Sequence, residues 1–464
     1  MRTKKIQSKV DFEKDSLGKL LTRMAVPAVI AMVVNGLYYM VDAAFVGWGV
    51  GSRALAGLAV VFPIQMFMIA WGSMIGMGAA AVISRKLGEK LPEEAGSAAM
   101  HAVLLAVFSG IVFLIMTLAA QKSLLYAFGA TEGTYADARE YLRALQYGFV
   151  FVFLSMVGFN ILRAEGSSAK AGMGMLLGTV INVVLDPLFI LTFDMGVGGA
   201  AWATVLARLF STAYFLYFLC LKDKRKILSF NMKPSLRTSG SILSLGLGNF
   251  LGQVSVSIIA VIVNTSIVLY GNDVDLAVYG IMSRMLVFIT MPLIGLAQGL
   301  QPIAAYNYGS GAMSRVRGVI VRAAAVSTAL GALMYLLPFL APAFTMHLFS
   351  NDPAVIAAGI FPIRMALCAL SVIGVQILGF TLFQALGQSL KTLLLSLSRQ
   401  LIFLVPLLTM MPLIWGLDGL WAAFPAADVL SAVLTVLMVF PLFTGEYRKR
   451  TTGNTSHRRA GEVA

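Results

Sequence analysis

Apolar stretches recur along nearly the whole of this 464-residue chain, separated by short polar segments. Each stretch contains about 20 residues, which as an α-helix is enough to cross a hydrocarbon layer of about 30 Å. Only 12% of the residues are charged and 59% are hydrophobic, whereas soluble domains carry roughly 25% charged residues. The sequence therefore predicts an integral membrane protein.

Twelve such stretches can be delimited, six on each side of a polar segment near the middle of the chain. They lie near residues 20–46, 54–83, 97–119, 142–162, 173–193, 198–221, 241–270, 276–305, 318–341, 358–385, 393–414 and 419–443. Transmembrane β-strands would instead alternate apolar and polar residues over about 10 positions, and the sequence lacks that alternation. We therefore predict an all-α polytopic membrane protein with twelve transmembrane helices.

The Lys and Arg residues lie mostly between these stretches, and they alternate from one side to the other. Basic residues mark the N-terminal segment, the loops after even-numbered stretches and the C-terminal tail, for example Lys4, Lys5, Arg85, Lys86, Arg163, Lys170, Lys224, Arg225, Arg315, Arg317, Arg448 and Lys449. Positive residues remain on the cytoplasmic side of a membrane. We therefore predict a multi-pass inner-membrane protein with both termini cytoplasmic. This orientation accounts for the net charge of +14, so no nucleic-acid partner is expected.

An internal repeat relates the two halves of the chain. The offset that aligns Gly78 with Gly299 (299 − 78 = 221) also aligns Gly88 with Gly309, Arg143 with Arg364, Gly158 with Gly379 and Lys170 with Lys391. Because six helices bring the chain back to the same side, the halves share one orientation. We predict two six-helix bundles related by a pseudo-two-fold axis along the membrane normal, with a cavity between them.

The domain boundaries follow from this repeat. We predict an N-terminal six-helix lobe at residues 1–221, a basic cytoplasmic linker at 222–238, a C-terminal six-helix lobe at 239–445 and a cytoplasmic tail at 446–464.

The sequence contains no P-loop and no complete dinucleotide fingerprint, so ATP-driven pumping is not expected. The two cysteines and three histidines are scattered and form no metal motif. No cluster of residues suggests a catalytic centre, so we predict neither an enzyme nor a cofactor. Two related lobes favour a secondary transporter over a channel.

Ionisable residues inside apolar stretches are energetically costly, so they are the first candidates for function. Asp42 lies late in the first stretch and Asp186 late in the fifth. They follow the cytoplasmic residues Arg23 and Lys170 by rises of about 28 and 24 Å. Both carboxylates are therefore expected at a similar depth in the outer half of the N-terminal lobe.

Further polar side chains are expected near this pair: Tyr38, Asn160, Asn182 and Thr204. Asn182 precedes Asp186 by one helical turn, on the same face. Oxygen-rich sites suit hard cations, so this set is expected to bind Na⁺ or to share protons. The alternative is that Asp42 caps its helix and that Asp186 marks a kink before Pro187.

Among the other ionisable residues within the stretches, Asp428, Arg208 and Arg284 are left without an assigned role. Asp428 has no counterpart in the first half, where the offset reaches Ala207. Both a structural partner and a water-facing position are compatible with Asp428. Arg208 and Arg284 fit helix packing or charge balance better than substrate binding.

Two segments carry a resemblance to a known family. Residues 41–47 read Val-Asp-Ala-Ala-Phe-Val-Gly, and residues 298–309 read Gln-Gly-Leu-Gln-Pro-Ile-Ala-Ala-Tyr-Asn-Tyr-Gly. Through these segments, and over almost its whole length, the chain resembles bacterial efflux transporters of the multidrug and toxic compound extrusion (MATE) family.

The resemblance implies a V-shaped pair of bundles that exports amphipathic or cationic drugs by alternating access, in exchange for H⁺ or Na⁺. It assigns the coupling site, including a Na⁺ site if Na⁺ is the ion, to Asp42, Asn182, Asp186 and Thr204. It also implies that Pro27 is a hinge whose bending follows protonation.

The expected partners are a small amphipathic substrate and membrane lipid. The protein itself is expected to be a monomer. Other family members carry acids in the seventh and tenth spans, but residues 241–270 and 358–385 contain none. A cation site in the C-terminal lobe is therefore not expected. The alternative function is a lipid-linked oligosaccharide flippase of the same superfamily.

Overall fold

The computed structural model describes residues 10–49, 52–222 and 235–444, and the side chains at 35, 38–49, 52–56, 221 and 222 lie outside that description. The described residues form helices and short connections, with no β-strand. Most of the predicted linker and all of the predicted tail lie outside the described residues, so the predicted domain boundaries stay predictions.

Sixteen α-helices follow one another along the described part of the chain. The N-terminal bundle contains α1 (Leu17–Gly49), α2 (Ser52–Gly88), α3 (Pro92–Ala119), α4 (Gln121–Ala127), α5 (Glu132–Gln146), α6 (Phe149–Ala164), α7 (Ser168–Pro187) and α8 (Gly196–Leu216). The C-terminal bundle contains α9 (Leu236–Tyr270), α10 (Asp273–Gly309), α11 (Met313–Leu340), α12 (Pro342–His347), α13 (Pro353–Leu367), α14 (Leu370–Ala385), α15 (Ser389–Leu397) and α16 (Val405–Val439). Short π-helical segments extend α7 at Leu188–Thr192 and α8 at Tyr217–Lys222, and a third joins α15 to α16 at Ser398–Leu404.

Nine helical segments among the described residues are long and apolar enough to cross a membrane, and two bent helix pairs raise this number to 11. One of the nine, Ser389–Leu442, has 54 residues, far more than the ~20 that one crossing needs. It breaks at Gly416, whose φ of 56° is not helical. Two crossings in this segment give the twelve transmembrane helices of the predicted fold class, which is confirmed.

The bent pairs are α5–α6 and α13–α14, which change direction by 55° and 44°. They occupy equivalent positions in the two lobes. The apolar stretch predicted at 142–162 covers little of α5, because α5 carries charged residues at five of its fifteen positions (Glu132, Asp137, Arg139, Glu140 and Arg143). A hydropathy pattern detects the apolar half of such a span and misses its polar half.

Glycines bring the two lobes into close contact on the side of the membrane that carries Arg85 and Arg315, which we call the basic side. A β-carbon at Gly88 would overlap the carbonyl of Tyr306, and one at Gly309 would overlap the carbonyl of Arg85. Adding the offset of the repeat to positions 85 and 88 gives 306 and 309, so these are the same contact seen from each lobe. The pseudo-two-fold axis therefore passes between the basic-side ends of α2 and α10.

The same symmetry relates two longer helix interfaces between the lobes. Helix α2 packs on α9, where Gly246 lies against the carbonyl of Met74. Helix α1 packs on α10, where a β-carbon at Gly295 would lie 2.6 Å from Cα of Val29. Small residues allow backbones to approach this closely within a membrane.

Each lobe has its own apolar core, and a third core joins the lobes on the basic side. This third cluster combines Leu20 and Met24 of α1 with Leu300 and Ile303 of α10 and Phe383 of α14, all buried. The lobes are therefore packed together on the basic side.

Replacing Gly246 with Ala tests the close approach of the lobes. The added methyl group meets the backbone of Met74, and overpacking of this kind costs about 1–3 kcal/mol. We expect Gly246→Ala to lower the thermal unfolding midpoint of the purified protein. Gly240→Ala in the same helix, where no atom lies within 4 Å, is the matched control. Equal midpoints for the two variants would contradict the packing described here.

Candidate functional site

Asn182 and Asp186 form a buried polar pair in α7. Their side chains are 2% and 0% exposed, and Asn182 Nδ2 donates a hydrogen bond of 3.1 Å to Asp186 Oδ1. One helical turn separates them, which places both on one face as predicted. Pro187 follows directly and has no N–H, so the carbonyl of Val183 loses its helical partner. A π-helical segment begins at Leu188, a feature that is frequent at functional sites.

The contact between α1 and α7 fixes the depth of Asp42 relative to this pair. Ser168 Oγ donates to the carbonyl of Met24 at 2.7 Å, and the two helices run in the same direction. The step along α1 from Met24 to Asp42 equals the step along α7 from Ser168 to Asp186 (42 − 24 = 186 − 168). At equal rise per residue the two positions are therefore level. The side chains of Asp42 and Tyr38 lie outside the described residues.

Thr204 reaches the same level from α8. Ser211 Oγ donates to the carbonyl of Gly174 at 3.1 Å, and α8 runs antiparallel to α7. Thr204 precedes Ser211 by about two turns of α8. It therefore lies opposite the turn of α7 that contains Asn182. The Thr204 side chain is half-buried. The structure thus places Thr204 level with Asn182 and the backbone of residue 42 level with Asp186, so these four positions lie within about one helical turn of depth.

Asn160 lies elsewhere, near the basic-side end of α6. It lies about one turn from the end of α6 at Ala164, whereas Asp186 lies about five turns from the basic-side start of α7, so about 20 Å of depth separates them. Its Nδ2 donates to the carbonyl of Met156 at 2.8 Å, and its Oδ1 accepts from Arg163 at 2.8 Å. These contacts place Asn160 in a second polar cluster.

Arg163 is the centre of this second cluster, and its position differs from the one the sequence indicated. Charge patterning grouped it with the loop residues, but its side chain is 0% exposed. Its Nη2 also donates to Gln301 Oε1 of α10 at 2.8 Å, so the cluster crosses between the lobes. Gln301 Nε2 in turn donates to Gln384 Oε1 at 2.8 Å. No acidic side chain within the described ranges forms an ion pair with Arg163.

The segment before α1 adds a further contact across the basic side. Phe12 is buried and stacks on Tyr306 of α10 with ring centroids 5.0 Å apart. Arg315 of α11 donates through Nη2 to the carbonyls of Phe12 and Asp15 at 2.9 and 2.7 Å. In the N-terminal lobe, a β-carbon at Gly166 would lie 2.9 Å from the Phe12 ring. Phe12 therefore lies between the two lobes.

Pro27 lies inside α1, where it packs on α7. A β-carbon at Gly172 of α7 would lie 3.0 Å from the carbonyl oxygen of Pro27. Neighbouring residues on α1 face the other lobe, with Ala25 against Gly299 and Val29 against Gly295. Pro27 thus lies in the middle of the interface between α1 and α10, with one contact before it at Ala25 and one after it at Val29.

Asp428 has a charged partner that the sequence analysis did not identify. It is buried in α16, and its Oδ1 accepts a short hydrogen bond from Nε of Arg399, which lies in the π-helical segment Ser398–Leu404. No spacing rule connects two residues 29 positions apart, so the pair could not be predicted from sequence. Of the two arginines to which the sequence assigned no role, Arg208 is half-buried and Arg284 is exposed.

The Asp428–Arg399 pair predicts a specific pattern of stability changes. Removing one member of a buried ion pair costs about 3–5 kcal/mol, whereas replacing both with apolar residues is often neutral. We expect Asp428→Asn and Arg399→Gln each to lower the thermal unfolding midpoint, by an amount moderated by the 22% exposure of Arg399. The double variant Asp428→Leu/Arg399→Met should recover most of the loss. Additive losses would show that the two side chains act independently.

Comparison with known proteins agrees with this architecture. The family model MatE matches residues 27–188 and 249–409, once in each lobe and at nearly the offset of the repeat (249 − 27 = 222, 409 − 188 = 221). The chain is 26% identical over 454 residues to the multidrug export protein MepA of Staphylococcus aureus, covering 96% of this chain and 97% of that protein. It is 25% identical over 432 residues to MepA of Staphylococcus saprophyticus, covering 93% and 95%.

Solved structures show the same fold. An outward-facing MATE-family multidrug resistance transporter of the MOP superfamily superposes with a TM-score of 0.89 at 26% identity, covering 95% of this chain and 99% of that one. A MOP-superfamily transporter from Pyrococcus furiosus, described as having a binding pocket of reverse polarity, gives a TM-score of 0.88 at 26% identity, covering 95% and 100%. The chain belongs to the MatE family of multidrug and toxic compound extrusion transporters.

Proposed function

We propose that this protein is a secondary active antiporter that exports amphipathic or cationic drugs and toxic compounds in exchange for H⁺ or Na⁺. The observation that carries the proposal is the buried Asn182–Asp186 pair at the depth of Asp42. A carboxylate held inside a membrane span is costly and marks an ion pathway by default. The relatives named as multidrug export proteins support the substrate class.

The coupling ion binds, in this proposal, among Asp42, Asn182, Asp186 and Thr204. These residues offer carboxylate, amide and hydroxyl oxygens, which suit both Na⁺ and a shared proton. Tyr38 precedes Asp42 by one turn of α1 and adds a hydroxyl group to this proposed site. Asn160 is the exception among the predicted residues, since it bonds to Arg163 near the basic side.

The basic side is the cytoplasmic side in this proposal, by the rule that positive residues are retained there. The protein then lies in the inner membrane as a monomer with both termini cytoplasmic. The described state is closed toward the cytoplasm, since glycine contacts, the Arg163–Gln301 bond and Phe12 join the lobes on that side. A similar structure has been solved in an outward-facing conformation.

Alternating access requires these basic-side contacts to separate when the cavity opens inward. An ion or substrate can shift this equilibrium only by the difference in its affinity for the two states. Pro27 is placed to transmit that difference, because it lies within the part of α1 that packs on α10, between Ala25 and Val29, and α1 continues from there to Asp42. We propose that occupancy of the carboxylates changes the bend at Pro27 and so changes the packing of Ala25 and Val29 on α10.

Transport by inverted vesicles tests the function and the site together. We expect an imposed H⁺ or Na⁺ gradient to drive uptake of a cationic dye, and Asp42→Asn or Asp186→Asn to reduce that uptake to the level of protein-free vesicles. Neither variant can then release or bind a coupling cation at the changed position. The matched control is Asp194→Asn, since Asp194 is exposed beyond α7 with φ of 50°, a conformation that Asn tolerates.

The two gradients, applied separately, identify the coupling ion. Undiminished coupled uptake in both Asn variants would contradict the site assignment. Gradient-independent movement of a labelled lipid-linked oligosaccharide, without drug uptake, would instead favour the flippase function.

Arg163 provides a separate test of the conformational step. Its hydrogen bond to Gln301 is charge-assisted, and such bonds contribute about 1.5–3 kcal/mol. We therefore expect Arg163→Met to shift the equilibrium toward the state open on the basic side by about tenfold or more. Spin labels at Leu91 and Leu390, which are 40% and 78% exposed on that side, would report a longer distance by electron paramagnetic resonance.

This measurement requires a background without the native Cys220 and Cys368. Arg322→Met is the control, since Arg322 is an exposed arginine of α11 on the same side. An unchanged distance distribution in Arg163→Met would show that the bond to Gln301 does not hold the lobes together.

A further inference from the structure

A groove of about 600 Å³ lies between α5 and α8 of the N-terminal lobe, away from the coupling site. Its polar and aromatic lining residues are Tyr135, Arg139, Glu140, Arg143, Tyr147 and Trp202. The opposite face of α5, including Ala138, Leu142 and Leu145, is buried in the lobe. The groove therefore faces outward from the protein and is open to its surroundings.

The depth of the groove places it at the lipid head groups opposite the basic side. Helix α6 ends at Ala164 on the basic side. Its 16 residues rise about 24 Å, and the last turns of α5, beyond the 55° bend, bring the chain to the far edge of a hydrocarbon layer of about 30 Å. Arg139 and Arg143 lie in these last turns of α5, near that edge. Tyr147 and Trp202 stack with ring centroids 5.5 Å apart at an interplanar angle of 14°, as amphipathic rings do at membrane interfaces.

The two arginines of the groove form no ion pair with any side chain in the described ranges. They are one helical turn apart on one face of α5, and both are exposed. The one acid of the lining, Glu140, accepts a hydrogen bond from the backbone N–H of Gly198 at 3.2 Å and so joins α5 to α8. The lining carries two positive charges and one negative charge, which leaves a net charge of +1 facing the interface.

The repeat supplies an internal comparison. Arg364 is the counterpart of Arg143 (364 − 143 = 221), and its Nε donates to the carbonyl of Phe339 at 3.1 Å. Its guanidinium also lies 6.0 Å from the Phe339 ring centroid. The C-terminal arginine is thus bonded within its own lobe, whereas Arg143 lines an open groove. The counterparts of Arg139 and Glu140 are the apolar Ile360 and Phe361, so the repeat does not carry the charged lining of this groove into the C-terminal lobe.

We propose that this groove binds the head group of an anionic phospholipid from the leaflet opposite the basic side. Arg139 and Arg143 donate hydrogen bonds to its phosphate, since the planar guanidinium fork matches phosphate oxygens. The stacked Tyr147 and Trp202 lie beneath it against the glycerol and the upper acyl chain. The site is independent of the transport cycle proposed above, so either proposal can fail without the other.

Native mass spectrometry of the purified protein tests the proposal with phosphatidylglycerol and phosphatidylcholine as the two lipid probes. We expect the wild type to bind phosphatidylglycerol in preference to phosphatidylcholine. The double variant Arg139→Gln/Arg143→Gln should bind phosphatidylglycerol at least about tenfold more weakly at this site, as expected when charge-assisted hydrogen bonds are lost. Lys122→Gln is the matched control, because Lys122 is an exposed cation of α4 in the same lobe and does not line the groove.

Two further measurements separate lipid binding from misfolding and from binding of a soluble anion. The variant Arg139→Lys/Arg143→Lys retains both charges and should retain part of the preference for phosphatidylglycerol. The thermal unfolding midpoint of each variant, measured without added lipid, shows whether the variant is folded. Weaker lipid binding by a Gln variant with an unchanged midpoint is then a loss of binding and not a loss of folding. Inorganic phosphate and glycerol phosphate should not displace the lipid.

Equal loss of phosphatidylglycerol in the double Gln variant and in Lys122→Gln would overturn the proposal. Unchanged binding in the double Gln variant would overturn it as well. Displacement by inorganic phosphate would assign the groove to a soluble anion instead of a lipid.

Discussion

The close approach of backbones at glycines across the pseudo-two-fold axis is the constraint on which the described state depends. Gly88 lies against the carbonyl of Tyr306, and Gly309 lies against that of Arg85. Apolar burial alone cannot associate two bundles in lipid, because lipid tails are as apolar as the helix surfaces. Because glycine has no side chain, the two backbones come close enough for dispersion attraction between their atoms to hold the bundles together. The repeat places a glycine at both equivalent positions, 88 and 309. Each lobe therefore contributes one close glycine contact to the closed basic side.

Polar groups buried in this closed interface form hydrogen bonds that fix how the two lobes pack. Arg163 is fully buried and donates one of its hydrogen bonds to Gln301 of the other lobe. A buried cation without a described acidic partner is costly unless hydrogen bonds satisfy it. The closed state therefore contains both a favourable interlobe bond and a desolvated charge. Such a balance suits a contact that, in the proposed transport cycle, must both form and break.

The two lobes share an architecture and differ in chemistry. Moving Asn182 and Asp186 by the offset of the repeat gives Phe403 and Leu407, so the buried polar pair exists in the N-terminal lobe alone. The C-terminal lobe instead contains the Asp428–Arg399 ion pair, in which the acid already has a cation within its own lobe. An acid neutralised in this way is poorly suited to take up a coupling ion. This difference supports the proposal that the N-terminal lobe couples to an ion while the C-terminal lobe completes the transporter.

The sequence by itself determined the helical membrane class, the two related halves and the face shared by Asn182 and Asp186. These properties depend on local periodicity and on distances along one helix, which the residue order fixes. Only the tertiary structure decided that Arg163 is buried between the lobes, that Asp428 pairs with Arg399, that Phe12 lies against Tyr306 and that Arg143 lines a groove while Arg364 does not. Each of these depends on which helices pack together and on what surrounds a charge. No spacing within a single chain segment carries that information.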